Sequence, residues 1–313
     1  ASYVGSMTVH DSMSVNTAYW PYEFNQAAFG TNAIGNTTVS NPFYGILPTN
    51  RTRGSAATVA RQELFRALPL FPNVTISNMP WARYRYDALQ LRADKRFSND
   101  RSLLGGLTMV FSYTFSKNFQ DANYLNTWNI DHEKPVHELV AYDKPQNFSY
   151  SGVWSLPWGK GRHFATHKNV VGAIVGGWTV NWVYRYNSGN PIAGINAVNK
   201  CDTLLVNNQT HDQWWNNDRA CWAGNPSYTI RTVPDRYPWL RQMDNITVNL
   251  AGNKTFNLTE RWKLNLRGEA FNLFNRPIYR PAPTSYTDVN FGKLSIEQQN
   301  FPRNIQVAAK IMF

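Results

Sequence analysis

The chain has 313 residues, with 31 Lys and Arg against 20 Asp and Glu, for a formal net charge of +11. Hydrophobic residues are 42% and aromatic residues 14%, and mean hydropathy is -0.46, so no stretch is apolar enough for a spanning helix. The basic excess fits an anionic partner such as lipopolysaccharide phosphate, or a surface that simply carries more Arg than Asp. No compact run of Lys and Arg interleaved with aromatics occurs, so no nucleic-acid partner is expected.

Alternation of apolar and polar residues predicts eight strands. The first lies near 1–9. The second, 84–97, alternates weakly through Leu89, Leu91, Ala93 and Phe97. In 103–118, Leu107, Met109, Phe111, Tyr113 and Phe115 alternate with Thr108, Ser112, Thr114 and Ser116. In 147–158, Phe148, Tyr150, Gly152, Trp154 and Leu156 oppose Asn147, Ser149, Ser151 and Ser155. Segment 176–190 sets Trp178, Val180, Trp182, Tyr184 and Tyr186 against Thr179, Asn181 and Arg185. Segment 243–258 sets Ile246, Val248 and Leu250 against Thr247 and Asn249, and 262–275 sets Trp262, Leu264, Leu266 and Ala270 against Lys263, Asn265, Arg267 and Glu269. The last strand, 303–313, places Ile305, Val307, Ala309, Ile311 and Phe313 on one face and Asn304, Gln306, Ala308 and Lys310 on the other.

A charged row such as Lys263-Asn265-Arg267-Glu269 is costly against a dry core and cheap against a wet lumen. The fold expected is therefore all-β: an antiparallel transmembrane β-barrel whose apolar face meets lipid. Its barrel-closing C-terminal strand would end on Phe313 in the interfacial girdle. A soluble sandwich also alternates. Aromatics near the strand ends, and links that alternate short and long, favour the barrel.

The short links are 98–102 and 259–261, 159–175 is medium, and 10–83, 119–146, 191–242 and 276–302 are long. Barrels keep short turns in the periplasm and long loops outside, which would put the four long links outward and the C-terminus in the periplasm. Four loops holding more than half of the residues are too much for an eight-stranded cylinder, which favours a section of a larger barrel. The chain opens at Ala1 without a signal-peptide pattern, so a processed chain or fragment is expected.

Cys201 and Cys221 share one long link, and their spacing predicts a loop-stapling disulfide, worth on the order of 3 kcal/mol by restricting the unfolded loop. His132 and His137, with Asp131, Glu133 and Glu138, could ligate a metal if the link folded back. Pro135 breaks their spacing, so no metal site and no cofactor are expected. Ser and His occur without an elbow such as GxSxG, so no catalytic residues and no enzyme are expected. Trp214, Trp215, Trp222, Tyr237 and Trp239 either stack on a ligand above the barrel mouth or pack the long links together.

Nine strings carry a resemblance. Tyr3-Val4-Gly5-Ser6, Asn41-Pro42-Phe43-Tyr44-Gly45, Tyr86-Asp87-Ala88-Leu89-Gln90 leading to Lys95-Arg96-Phe97-Ser98, Ser112-Tyr113-Thr114-Phe115-Ser116-Lys117 and Leu156-Pro157-Trp158-Gly159-Lys160-Gly161-Arg162 come first. Gly176-Gly177-Trp178, Ser188-Gly189-Asn190-Pro191, Glu269-Ala270-Phe271-Asn272-Leu273-Phe274-Asn275 and Phe291-Gly292 follow in order. Together they resemble the C-terminal barrel region of Oar-like TonB-dependent outer-membrane receptors, those with a carboxypeptidase-regulatory-like domain. The resemblance implies a plugged barrel of about 22 strands, of which residues 1–313 supply roughly the last eight. Plug, TonB box and regulatory-like domain are not in these residues.

The expected function is ligand binding and TonB-dependent uptake at the surface of a Gram-negative cell. The expected partners are outer-membrane lipid and lipopolysaccharide, an upstream barrel and plug segment, barrel-assembly machinery acting through the C-terminal strand, and an unidentified ligand. The alternatives are a scaffold barrel component held by partner chains, without transport, and a basic soluble β protein.

Overall fold

The computed structural model describes residues 1–21, 37–96, 102–126, 134–164, 170–201, 203–225 and 234–313. In chain order the strands are β1 (Ser2–Asn16), β2 (Thr38–Ser40), β3 (Thr58–Ala60), β4 (Thr75–Lys95), β5 (Gly106–Asp121), β6 (His137–Leu139), β7 (Gln146–Ser155) and β8 (Trp178–Asn187). There follow β9 (Pro191–Ala193), β10 (Val198–Asn199), β11 (Trp222–Ala223), β12 (Arg236–Arg241), β13 (Asn245–Asn257), β14 (Lys263–Phe271) and β15 (Asn304–Met312). One short helix, α1 (Val170–Val175), lies between β7 and β8. Among the described residues no helix is long and apolar enough to cross a membrane.

Eight long strands form one antiparallel meander in the order β1-β4-β5-β7-β8-β13-β14-β15, with β6 added to the end of β5. These are the eight strands that alternation predicts. β1 and β4 run further, shrinking the expected 10–83 link to 17–74. The reason is local. Their ladder shifts register between Thr8 and Asp11, Asp11 and Met13, and Met13 and Val15, and His10 and Asn78 take positive φ of 58° and 61°. Bulges interrupt the two-residue period, so a pattern reading stops where they begin.

Register shows that the two faces differ. One row runs Ala270-Leu250-Trp182-Gly152-Met109 across five strands, and a second runs Ile246-Tyr186-Phe148-Tyr113-Leu91. The opposite face carries Thr247-Arg185-Ser149-Ser112-Arg92 and Arg267-Asn253-Thr179-Ser155. Aromatics pair across strands on the apolar face: Phe148 lies 5.2 Å from Phe111 and 5.3 Å from Tyr184, and Tyr150 lies 5.4 Å from Trp182. Gly152 is required there, because a Cβ would stand 2.4 Å from the Trp182 ring.

Most of the apolar face is left uncovered by the described residues. Val307 is 83% exposed, Ile305 67% and Phe313 93%. Accessible surface totals 19202 Å² for a 35.9 kDa chain, against roughly 13,000 Å² for a compact monomer of that mass. A soluble sandwich would bury this face against a second sheet, and none is present among the described residues. β15 pairs with β14 alone, and among the described residues neither its outer edge nor that of β1 has a partner. Among the described residues the sheet is open, as a section of a larger barrel would be, and the strand of Ile305, Val307, Ala309, Ile311 and Phe313 keeps a free outer edge.

Candidate functional site

Because the strands are antiparallel and sequential, the links β1–β4, β5–β7, β8–β13 and β14–β15 all leave from one end of the sheet. The β5–β7, β8–β13 and β14–β15 links pack into one assembly. Its core holds Ile192, Ile195, Leu204, Trp215, Trp222, Leu240 and Phe291. Trp215 and Trp222 meet Phe291 edge-on at 5.6 Å and 5.0 Å, joining the β8–β13 link to the β14–β15 link. Cys201 and Cys221 form the disulfide that their spacing predicts. Cys221 is buried in the same core, so the staple ties the loop to it.

The five loop aromatics divide. Trp215 is fully buried, Trp222 is 6% exposed, and Trp222 Nε1 donates to Asn216 O at 2.8 Å. These two pack the links and present no ring to a ligand. Of the two roles weighed for them, their burial supports packing: the long links need their own apolar core, and these indoles supply it. Trp214 is half-buried and donates from Nε1 to Arg241 O at 2.7 Å. Tyr237 is half-buried and Trp239 is 47% exposed, with ring centroids 4.8 Å apart. Of the five, Trp239 offers the most open ring.

β12 clamps two links together through charge. Arg236 reaches Glu138 at 2.6 Å, and Arg241 reaches Asp143 at 2.6 Å. Both carboxylates are buried, at 3% and 0% side-chain exposure. Asp143 also accepts from Asn118 N at 2.9 Å, while Arg241 donates to Asp143 O and Gly189 O. Glu138 accepts from Gln120 Nε2 at 2.9 Å and Asn123 Nδ2 at 3.0 Å. Such bonding makes the burial of Arg241–Asp143 tolerable, whereas Glu138 Oε2 and Arg236 Nε are buried without a hydrogen bond among the described residues. The sequence holds no local signal for them, since each pair joins residues 98 positions apart.

Glu138 also lines a cavity of about 670 Å³ at the link end of the polar face. The ends of β1 and β4, the residues after β5, and Asp235 complete its wall. Gln120 and Glu138 are cross-strand partners, and Gln120 faces Tyr84 in the ladder of β4, which fixes the cavity on the polar side. The lining joins two carboxylates to the amides of Asn16, Asn73 and Asn123, with Met13, Val15 and Leu125 between. Burial raises the Tyr124 phenol above its ordinary pKa. Among the described residues no Lys or Arg lines the cavity. It suits a neutral or cationic polar ligand, and the chain's positive excess lies elsewhere.

Of the residues around His132 and His137, Asp131, His132 and Glu133 lie outside the described residues. His137 Nδ1 meets Asp121 at 2.6 Å and its ring stacks on Phe119 at 4.7 Å. Among the described residues no three His, Cys, Asp or Glu side chains are grouped to hold a metal.

An open antiparallel meander with one uncovered apolar face, one polar face and all its long links at one end is a section of a membrane-spanning β-barrel wall. The family model "Outer membrane beta barrel domain" matches residues 1–306. The chain belongs to that family, which places it in the outer membrane, with its apolar face toward lipid. Among solved structures, the outer membrane transporter YddB from Escherichia coli matches at 7% identity and a TM-score of 0.42, covering 99% of this chain and 29% of that one. The chain thus spans less than a third of that transporter's length. No curated protein matches.

Proposed function

We propose that this chain is the wall and surface-loop section of an Oar-like TonB-dependent receptor, with its long links outside the cell and its C-terminus in the periplasm. The observation that carries the reading is the polar cavity of about 670 Å³, set at the link end of the polar face and enclosed by three long links. A ligand captured there lies at the mouth of the lumen. The nine ordered strings support the receptor type, and the links of 96–105 and 258–262 at the opposite end support the orientation.

The unpaired edges of β1 and β15 would take up neighbouring strands of the complete barrel, because an exposed edge is a template for pairing. The β15 edge is also the surface that barrel-assembly machinery would engage. Lipid and lipopolysaccharide meet the apolar face. The reading assigns no catalytic step and no cofactor, and the plug that gates uptake belongs to the upstream segment.

The test is the intact mass of the protein extracted from its native membrane, with cross-linking to the periplasmic domain of TonB. The expected result is a chain much larger than 35.9 kDa, or a tightly held plug-bearing partner, that cross-links to TonB. A lone species of this mass with no cross-link would leave a scaffold barrel and remove the transport role.

A further inference from the structure

The link between β7 and β8 lies at the end of the sheet opposite the cavity and has an architecture of its own. Phe164 N donates to Pro157 O at 2.8 Å and Gly159 N to Phe164 O at 2.9 Å, closing a tight loop. The backbones of Gly159 and Gly176 then touch. A Cβ on Gly176 would stand 2.7 Å from Gly159 Cα and 2.6 Å from Gly172 O, so neither glycine can be replaced without moving backbone. This contact folds α1 back toward the apolar face.

Lys254 stands in that face, in register with Trp178 on β8 and Leu266 on β14. A cation there is costly unless its donors are satisfied. It is 3% exposed, and its Nζ donates to Ile174 O at 2.7 Å and Gly176 O at 2.6 Å. These carbonyls lie at the C-terminal end of α1, where helix carbonyls lack internal partners and attract cations. The ammonium also lies 5.3 Å from the Trp178 ring centre and 4.9 Å from that of Phe256, and Trp178 Nε1 donates to Ile174 O at 3.0 Å. Lysine and helix therefore complete each other.

Latched in this way, α1 walls a cleft of about 480 Å³ lined by Leu156, Trp158, Ile174, Val175 and Trp178. Among the described residues no charged side chain lines it. Val171 and Ile174 remain 61% and 63% exposed. We propose that α1, latched by Lys254, anchors the barrel at the membrane interface, and that the cleft beside it seats an acyl chain of a membrane phospholipid. The occupant follows from continuity. The cleft adjoins Trp154 and Val180 of the lipid-facing rows, so the medium that bathes those rows reaches it, and its apolar lining admits a chain and excludes a headgroup.

The protein, reconstituted in phosphatidylcholine vesicles, would be irradiated with a phosphatidylcholine carrying a diazirine on its acyl chain, and the adducts mapped by mass spectrometry. The expected adducts fall on Trp158 and on the peptide 171–178 at a yield comparable to that on Tyr184 in the wall. Lys254→Met should lower the link adducts severalfold and leave those on Tyr184 unchanged. Ile174→Asn, which keeps the carbonyl latch, should lower them as well. Adducts on the wall but none on the link would overturn the acyl seat. Unchanged link adducts in Lys254→Met would overturn the latch. Absence of adducts everywhere would remove the lipid-facing wall itself, and the seat with it.

Discussion

The wall and the link assembly are made of one chain and held by opposite means. In the wall every strand pairs with its neighbour, yet the side chains of the eight strands are mostly exposed or half-buried. In the links the backbone is irregular, yet the largest fully buried side chains, Trp215, Phe291, Leu139, Leu240, Val140 and Asp143, are all there. The water-style hydrophobic core of this protein therefore sits outside the membrane. Within the membrane the continuous ladder satisfies the backbone and lipid solvates one face, so no interior core is needed.

The link core depends most on Trp215. Trp215→Ala should cost the link assembly about 5 kcal/mol, through lost burial and the cavity left beside Phe291. The wall should survive, so limited proteolysis should cut the links while the heat-dependent gel mobility of the folded barrel persists. Arg241→Ala ranks next. It leaves the buried Asp143 carboxylate without its cation and should cost about 4 kcal/mol, read as faster hydrogen exchange across 139–143 and 236–241 together.

A pair of substitutions sharpens the contrast within the wall. Tyr184→Arg puts a charge on the lipid face and should cost about 3 kcal/mol of barrel stability near the membrane centre. Thr247→Arg, on the polar face, should stay within about 0.5 kcal/mol. Urea unfolding in vesicles reads both, and equal costs would remove the assignment of faces. The smallest effect is expected at Trp239. Trp239→Ala should change stability by less than about 0.5 kcal/mol while weakening retention of whatever polar ligand the surface takes, measured by binding to intact cells.

How much of this is legible in the sequence follows from the same contrast. The wall obeys a two-residue period, so Trp178 to Tyr186 or Lys263 to Ala270 declare their strands and their faces without help. The period fails where the backbone bulges, at His10 and Asn78, and there the strand ends are misjudged. In the links, order comes from partners far apart in the chain. Trp215 against Phe291 and Arg236 against Glu138 have no periodic signal, and small strands such as β9 and β12 exist only because they meet. The disulfide was legible because the chain holds only two cysteines. Lys254 was not, because an isolated cation in an apolar row makes sense only once α1 lies over it.

The central claim is that the two faces of one sheet meet two media. Single cysteines at Ser149, Arg185 and Thr247, and at their neighbours Phe148, Tyr184 and Val248, can be challenged in native outer membranes with a water-soluble thiol reagent. The account predicts labelling at the first three positions and protection at the second three. Equal labelling along the strands would contradict it.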